Sequence, residues 1–258
     1  MPQTKIVFFD IDGTLIDMQA KRITPKMLET LHRLQDRGIK ICIATGRSPM
    51  VLPKIDGVAF DAYLTFNGSL CYDRKGVIFS NPIPHKDVVR FIQNAAALGR
   101  PVCVSTRDRL AANGTDTDLT DYFFIANEPV PVADDFDAVC AEDIYQLMLG
   151  CRPKDYPALL DGAPGAKIAA WWDRAVDVIP AGGGKGIGIE KMLAYYGLDK
   201  AEALAFGDGN NDREMLQAVG TGVAMENGSP ELKAIADGIC GPVYEDGIYH
   251  YCADKGLI

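Results

Sequence analysis

Short apolar runs alternate in this chain with segments of helical periodicity, and this alternation restricts the fold more than any other feature. The first run, Ile6–Phe9, carries no polar residue, as expected for a strand that is covered on both faces. Residues 23–38 then combine Pro25 in a first helical turn, apolar residues three and four positions apart, and Gly38 at the end. A second, largely apolar run follows at 39–44. This order predicts an α/β fold with a Rossmann-like, doubly wound parallel sheet.

The same alternation returns beyond residue 184, where GIGIEKMLAYYG, ALAFG, REMLQAVG and TGVAM predict a helix, a strand, a helix and a strand. The stretch in between differs, because one helical segment is followed by several strand-like runs, and prolines mark both of its ends. We therefore predict a core domain formed by residues 1–83 and 181–258, with an inserted α+β domain at 84–180. Within the insert, the polar residues 106–122 are predicted to form a loop.

The composition excludes some classes of partner. The 258-residue chain has a formal net charge of −9 at pH 7, and nucleic-acid binding usually requires a basic patch, so nucleic acid is not an expected partner. The apolar start IVFF is too short for a signal peptide, and no apolar stretch reaches membrane-spanning length, so no membrane partner is expected. The seven cysteines are scattered without a C-x-x-C pair, which predicts reduced thiols in a cytoplasmic protein. The pattern leaves the oligomeric state open.

Polar residues cluster where the predicted parallel strands end. The segment DIDGT follows the first strand, ATGR follows the second and GDGNND follows a later one, while GGGKG precedes a helix. Each cluster by itself could be an ordinary turn or a helix cap. However, the carboxyl ends of parallel strands meet at one edge of the sheet, where open sheets bind their ligands. We therefore expect these clusters to form one site.

The lysine in GGGKG raises the alternative of a nucleotide-binding P-loop. That motif requires G-x-x-x-x-G-K-[ST]. Here Ile179 stands at the position of the first glycine, and Gly186 follows Lys185 in place of Ser or Thr. Because the motif fails at both positions, a P-loop nucleotide site is not predicted.

Taken in order, FDIDGTL, ATGR, GGGKGIGIEKML, AFGDGNNDREML and GVAMENGSPELKAIAD resemble the motifs of the haloacid dehalogenase (HAD) superfamily, and within it those of the Cof-type subfamily (type IIB, with a C2B cap). The resemblance covers nearly the whole chain. It implies a HAD-like core in which the inserted α+β domain is a cap that selects the substrate. It also implies a Mg²⁺-dependent phosphatase that hydrolyses small phosphate monoesters, most often sugar phosphates or related metabolites.

The resemblance also implies a role for each motif residue. Asp10 matches the nucleophile that forms an aspartyl-phosphate, and Asp12 matches the acid that protonates the leaving alkoxide and then activates water. The carboxylates of Asp10 and Asp208 and the backbone carbonyl of Asp12 match the ligands of Mg²⁺. Asp212 is expected to orient Lys185 or a metal-bound water, with a helix cap as its alternative role. Four residues match the positions that bind the phosphate or the substrate: Thr45, Gly46, Lys185 and Asn211.

Residues beside these motifs have competing interpretations. Arg47 could bind a phosphate or a sugar, or it could pair with an acid at the start of a helix. Asn67 could line the site, or it could form the turn that Asn-Gly pairs commonly adopt between strands. Trp171 and Trp172 are neighbours in a predicted strand and are expected to face opposite ways, one of them toward the core.

Two other functions remain as alternatives. A sugar phosphomutase would return the phosphoryl group to its sugar, and its cap would need several arginines to hold a second phosphate. The arginines of the insert are spread widely along the sequence, which leaves this alternative open. A non-catalytic phosphometabolite-binding protein typically lacks the nucleophile or the acid. Asp10 and Asp12 are both present, which disfavours that second alternative.

Overall fold

The structure is a computed structural model, and it describes residues 3–125, 127–170 and 172–258. In chain order, its strands are β1 Ile6–Phe9, β2 Lys40–Ala44, β3 Ala62–Thr65, β4 Leu70–Asp73, β5 Gly76–Ser80, β6 Cys103–Ser105, β7 Leu110–Ala112, β8 Gln146–Gly150, β9 Ala166–Ala169, β10 Ala175–Pro180, β11 Ala203–Gly207, β12 Thr221–Met225 and β13 Gly238–Cys240. Its α-helices are α1 Pro25–Asp36, α2 His85–Ala97, α3 Thr117–Ile125, α4 Phe136–Val139, α5 Tyr156–Leu160, α6 Lys185–Tyr196, α7 Arg213–Ala218, α8 Pro230–Lys233 and α9 Gly247–Asp254.

The chain divides into two compact units, each with its own sheet. The first unit comprises the residues up to Gly46 together with Pro53–Ser80 and Gly184–Ile258. The second unit comprises Arg47–Leu52 and Asn81–Gly183. The role of the insert as a substrate-selecting cap stays a prediction.

An eight-stranded sheet forms the first unit, in the order β13-β12-β11-β1-β2-β3-β4-β5. The strands from β13 to β3 run parallel, and β4 and β5 add an antiparallel hairpin at one edge. Ile6 of β1 pairs with Ala203 on one side and with Lys40 on the other. The ends of β1, β2 and β11 therefore lie side by side, as the predicted doubly wound sheet requires.

Helices cover both faces of this sheet, because its strands are apolar on both sides. On one face, Phe8 belongs to the same buried cluster as Ile189 of α6. On the other face, the rings of Phe9 and Phe206 stack with 5.6 Å between their centroids, and Phe206 meets Tyr251 of α9 edge-on. Full burial of each phenylalanine contributes about 1.5–3 kcal/mol, so this double cover stabilises the strands that end at the polar clusters.

Helix α1 forms as the sequence predicts. Thr24 caps it by accepting a hydrogen bond from the Met27 N–H at 3.1 Å, and the proline that follows the cap stands in the first turn. Leu31 and Leu34 of the apolar stripe are buried. Gly38 adopts a φ of +74° just beyond the helix, a left-handed conformation that ends helices readily.

A five-stranded antiparallel sheet forms the second unit, in the order β7-β6-β8-β10-β9. Successive side chains of a strand point to opposite faces. Val104 accordingly packs in a core with residues of α2, α4 and α5, whereas its neighbour Cys103 packs beneath α3. This α+β arrangement agrees with the fold class predicted for the insert.

The predicted loop at 106–122 is wrong. Within it, β7 pairs with β6, and α3 begins at Thr117. Leu119 and Phe123 of α3 are buried against the sheet beside Met148. Several polar residues of the segment are exposed. The few apolar residues that anchor it are too sparse to reveal a helix by periodicity.

Three further sequence predictions concern tryptophans, cysteines and membrane spans. Trp172 lies beyond the end of β9, so its placement in a strand is wrong, while Trp171 lies outside the described residues. The seven cysteines are buried free thiols. Among the helices in the described part of the chain, none is long and apolar enough to cross a membrane.

Candidate active site

The predicted polar clusters lie at the carboxyl ends of neighbouring strands in the first unit. Asp10 follows β1, and its N–H donates to the carbonyl of Phe206 on β11 at 3.0 Å. Thr45 follows β2 and Asp208 follows β11, while Lys185 begins α6. The parallel register brings these residues to one edge of the sheet, although they come from distant parts of the sequence.

Lys185 joins two of the aspartates in a buried ion-pair network. Its Nζ donates to Oδ1 of Asp10 at 2.6 Å and to Oδ1 of Asp212. The residue is only 1% exposed. Burial on its own would lower the pKa of the ammonium, but the two carboxylates outweigh this effect and hold the pKa of Lys185 above its ordinary value. Lys185 is therefore a charged group held beside Asp10.

Both carboxylate oxygens of Asp212 are engaged inside the protein. While Oδ1 accepts from Lys185, Oδ2 accepts from the backbone N–H groups of Asp208 and Gly209, each at 2.9 Å. Asp212 is fully buried. The carboxylate of Asp212 thus connects Lys185 to the loop that carries Asp208. A residue that only capped the following helix would not bind Lys185.

The aspartates form a group that can hold a metal ion. One carboxylate oxygen from each of Asp10, Asp208 and Asp212 lies within 4.8 Å of the others. Burial raises the pKa of Asp10 well above its usual value, and burial together with the Asp212 charge raises the pKa of Asp208 to about 7. When all three carboxylates are ionised, their negative charge exceeds the single positive charge of Lys185. A hard divalent cation fits this oxygen donor set, and Asp10 and Asp208 are the better ligands because both Asp212 oxygens are already engaged.

A tight turn holds Asp12 and Gly13 against the Asp208 side chain. Gly13 has a φ of +84°, and a Cβ atom there would lie 2.2 Å from Oδ2 of Asp208, so no larger residue fits without displacing that carboxylate. Thr14 donates its hydroxyl to Oδ1 of Asp208 at 3.0 Å. Asp12 is half-buried in this turn and pairs with Ile16 in an isolated bridge. The turn therefore links the DIDGT segment directly to the GDGNND segment.

Two of the residues expected to bind phosphate, Thr45 and Asn211, are connected through hydrogen bonds to Asn67. Thr45 is buried, and its carbonyl accepts from the Asn67 N–H at 3.0 Å. Asn211 donates its side-chain amide to Oδ1 of Asn67 at 3.1 Å. Gly46 lies against the same asparagine, since a Cβ atom there would be 3.0 Å from Asn67 Nδ2. Arg47, by contrast, belongs to the second unit, where its guanidinium donates to the carbonyl of Val51 at 3.0 Å.

Asn227 contacts the site and was missed by the sequence reasoning. Its amide donates to the carbonyl of Gly13 at 2.8 Å, and its Oδ1 accepts from the Val243 N–H at 2.9 Å. Nearby, the Ser229 N–H donates to the carbonyl of Asp208 at 2.9 Å. The signal that could have revealed these residues is the polar run ENGS directly after an apolar strand, at the same sheet edge as the other clusters.

Comparison with known proteins identifies the family of the chain. The model of the haloacid dehalogenase-like hydrolases matches residues 7–252. The chain belongs to this family. The match extends over both units, which confirms the resemblance inferred from the ordered motifs.

Members and relatives of this family match the chain over nearly its whole length. "Putative phosphatase YkrA" of Bacillus subtilis (strain 168) is 35% identical over 257 residues, covering 99% of each chain. The 5-amino-6-(5-phospho-D-ribitylamino)uracil phosphatase YitU of the same organism is 28% identical over 262 residues, covering 95% of each chain. The solved structure of the HAD subclass IIB sugar phosphatase BT4131 superposes with a TM-score of 0.89 at 29% identity, covering 99% of this chain and 100% of that one.

These matches establish the class of the enzyme. Its family is one of hydrolases, and its full-length relatives are named phosphatases. The haloacid dehalogenase-like chain is therefore a phosphoric monoester hydrolase that acts on small phosphate substrates.

Proposed function

We propose that this enzyme is a Mg²⁺-dependent phosphatase that acts through an aspartyl-phosphate on Asp10. The observation that carries the proposal is the buried contact between Lys185 and Asp10, beside the carboxylate of Asp208. A nucleophilic carboxylate must be ionised, and the fixed ammonium favours the ionised form although burial opposes it.

The chemistry divides between Asp10 and Asp12. An oxygen of Asp10 attacks phosphorus, the bond from phosphorus to the leaving oxygen breaks, and Asp12 gives its proton to the departing alkoxide. Asp12, now ionised, takes a proton from water, whose oxygen attacks the phosphorus of the aspartyl-phosphate. Inorganic phosphate leaves and Asp10 is restored as a carboxylate. The half-buried position of Asp12 suits a group that exchanges protons with both a leaving group and water.

The residues that would hold Mg²⁺ are the carboxylates of Asp10 and Asp208 and the backbone carbonyl of Asp12. The negative charge that the three aspartates bring together and their oxygen donors support this choice of ion. When bound, Mg²⁺ supplies positive charge against the phosphoryl oxygens. Asp212 does not need to bind the ion, because it holds Lys185 and the backbone of the Asp208 loop.

The phosphoryl oxygens would be bound by groups on three different loops. Lys185 supplies charge, Thr45 a hydroxyl group, Gly46 a backbone N–H and Asn211 a side-chain amide. Charge spreads over these oxygens in the transition state of phosphoryl transfer, so donors held in place before the reaction lower the barrier. The burial of Thr45 and Lys185 supports such a preorganised site, since buried donors cannot reorient freely.

The substrate class that we propose is sugar phosphates and related small metabolites, selected by the second unit. The similarity to a protein named as a sugar phosphatase and to one named for a ribitylamino-uracil phosphate supports this class. The buried free thiols support a reducing compartment, so we place the reaction in the cytoplasm. The net negative charge still disfavours nucleic acid as a partner.

An arginine cluster in the second unit gives no support to a phosphomutase. Three of its arginines converge on the buried carboxylate of Asp118: Arg100, Arg152 and Arg174. Arg100 also pairs with Asp116, and Arg174 with Asp121. The three positive charges are thus matched by three carboxylates. A site for a second phosphate needs arginines with charge to spare, and this cluster has none.

Phosphate release from a panel of sugar phosphates and p-nitrophenyl phosphate tests the proposal. Wild type is expected to release phosphate over many turnovers with Mg²⁺ and without a bisphosphate activator. Addition of EDTA should abolish this phosphate release. Asp10→Asn should lose activity by at least about 10³-fold, because a neutral amide is a poor nucleophile. The matched control is Asp56→Asn at an exposed aspartate, which should leave activity unchanged. Release that continues in EDTA, or in Asp10→Asn, would overturn the mechanism.

A further inference from the structure

The turn between β3 and β4 has an unusual backbone. Three successive residues have positive φ angles: Phe66 at +50°, Asn67 at +51° and Gly68 at +92°. Side chains with a Cβ atom rarely adopt this region, and a bulky phenylalanine there is a clear outlier. Because an ordinary strand connection does not require this conformation, contacts around the turn must maintain it.

Those contacts reach the three loops that carry the proposed phosphate-binding residues. The Asn67 N–H donates to the carbonyl of Thr45 at 3.0 Å, and its Oδ1 accepts from Asn211 at 3.1 Å. Gly68 lies against the backbone just before Lys185, since a Cβ atom at Gly68 would be 2.2 Å from the carbonyl oxygen of Gly184. One short turn therefore contacts the ends of β2 and β11 and the start of α6.

We propose that Asn67 is a positioning residue that fixes the side-chain amide of Asn211 for phosphate binding; this inference rests on the proposed function. A primary amide is planar and has two N–H groups. Once one of them donates to Asn67, the amide plane of Asn211 and the direction of its second N–H are set. Asn67 is only 3% exposed, so water does not compete freely for its oxygen.

The choice of asparagine fits this role better than a plain turn. Asparagine tolerates a positive φ better than most residues, and it also offers a carbonyl oxygen. Glycine would satisfy the backbone at least as well but would offer no side-chain acceptor. If the residue served the turn alone, glycine would replace it without loss. If it positions Asn211, glycine would keep the fold and lose the function.

The test compares Asn67→Gly with wild type, with Asn211→Ala and with the double variant. The matched control is Asn127→Gly, an exposed asparagine of the second unit with a φ of +60°. We expect Asn67→Gly to melt within a few degrees of wild type and to lose on the order of 10- to 100-fold in kcat/KM, as small misplacements of reacting groups do. In the Asn211→Ala background the same change should cost less than about 3-fold, because the group that it positions is gone. Asn127→Gly should keep full activity.

Asn67→Gly could lose activity only because glycine makes the turn more flexible, and the conservative variant Asn67→Asp tests this. Asn67→Asp keeps both an acceptor and tolerance of positive φ, so it should retain more kcat than Asn67→Gly, although its charge raises KM. Three results would each overturn the inference: activity of Asn67→Gly within 2-fold of wild type, equal losses in both backgrounds, or no advantage of Asn67→Asp. Failure of the proposed function looks different, since wild type itself would then release no phosphate.

Discussion

Replacing Lys185 by methionine removes the ammonium group that joins Asp10 and Asp212 while keeping a side chain of similar length. The lysine and Asp212 side chains are 0% and 1% exposed, and that of Asp10 is 10% exposed. At 2.6 Å and an effective dielectric constant of 20, the Asp10 pair alone is worth about 6 kcal/mol of Coulomb energy. Desolvation offsets much of this, and removing one partner of a buried pair typically costs about 3–5 kcal/mol.

We therefore expect Lys185→Met to lower the free energy of unfolding by about 4 kcal/mol and the melting temperature by roughly 10 °C. The measurement is far-UV circular dichroism at pH 7 with EDTA, so that no metal ion compensates for the lost charge. The matched control is Lys191→Met on an exposed position of the same helix, which should cost less than about 1 kcal/mol.

A second variant separates electrostatics from packing. In Lys185→Met, the carboxylates of Asp10 and Asp212 are left without the ammonium group between them. Adding Asp212→Asn removes one of these two charges. The asparagine keeps a carbonyl oxygen that can accept from the backbone N–H groups of the Asp208 loop. The double variant should recover about half of the lost stability. If the single variant costs less than about 1 kcal/mol, or the double variant is no more stable than the single one, the reasoning is refuted.

Two other predictions concern the arginine cluster and the strained turn. Hydrogen bonds from Arg152 and from Arg174 hold the pKa of Asp118 below its usual value. This stabilisation is therefore present above the ordinary aspartate pKa and is lost as the pH falls through the lowered one. Asp118→Asn should therefore lower the melting temperature by roughly 5 °C at pH 7, with the difference shrinking below about pH 4, as thermal melts across pH 2–8 would show; a difference independent of pH would contradict this. Gly68→Ala should cost at least about 2 kcal/mol in urea unfolding, because its φ is +92° and its Cβ would lie 2.2 Å from the Gly184 oxygen; a change below about 0.5 kcal/mol would show that the two backbones separate easily.

The local signals in the sequence were enough to predict the core. The all-apolar run at Ile6–Phe9 and the capped helix α1 were both identified, because strand and helix periodicities depend on residues that are close in sequence. The meeting of the polar clusters also followed, since the carboxyl ends of parallel strands must share one edge of the sheet. The prediction failed at α3, whose Leu119 and Phe123 are buried by a sheet formed from other parts of the chain.

The division between sequence and tertiary structure is sharpest at the candidate site. The sequence by itself predicted which residues would carry the proposed chemistry, because Asp10, Lys185 and Asp208 stand in motifs that resemble those of the family and lie at strand and helix ends. The resemblance implied that Asp212 orients Lys185 or a metal-bound water, and the contact with Lys185 is present. Only the tertiary structure decided the rest: the other oxygen of Asp212 holds the backbone of the Asp208 loop, and Asn67 accepts a hydrogen bond from an amide 144 positions away. The contact of Asn67 joins segments far apart in the chain, so it depends on the packing of the whole sheet, and no local pattern encodes it.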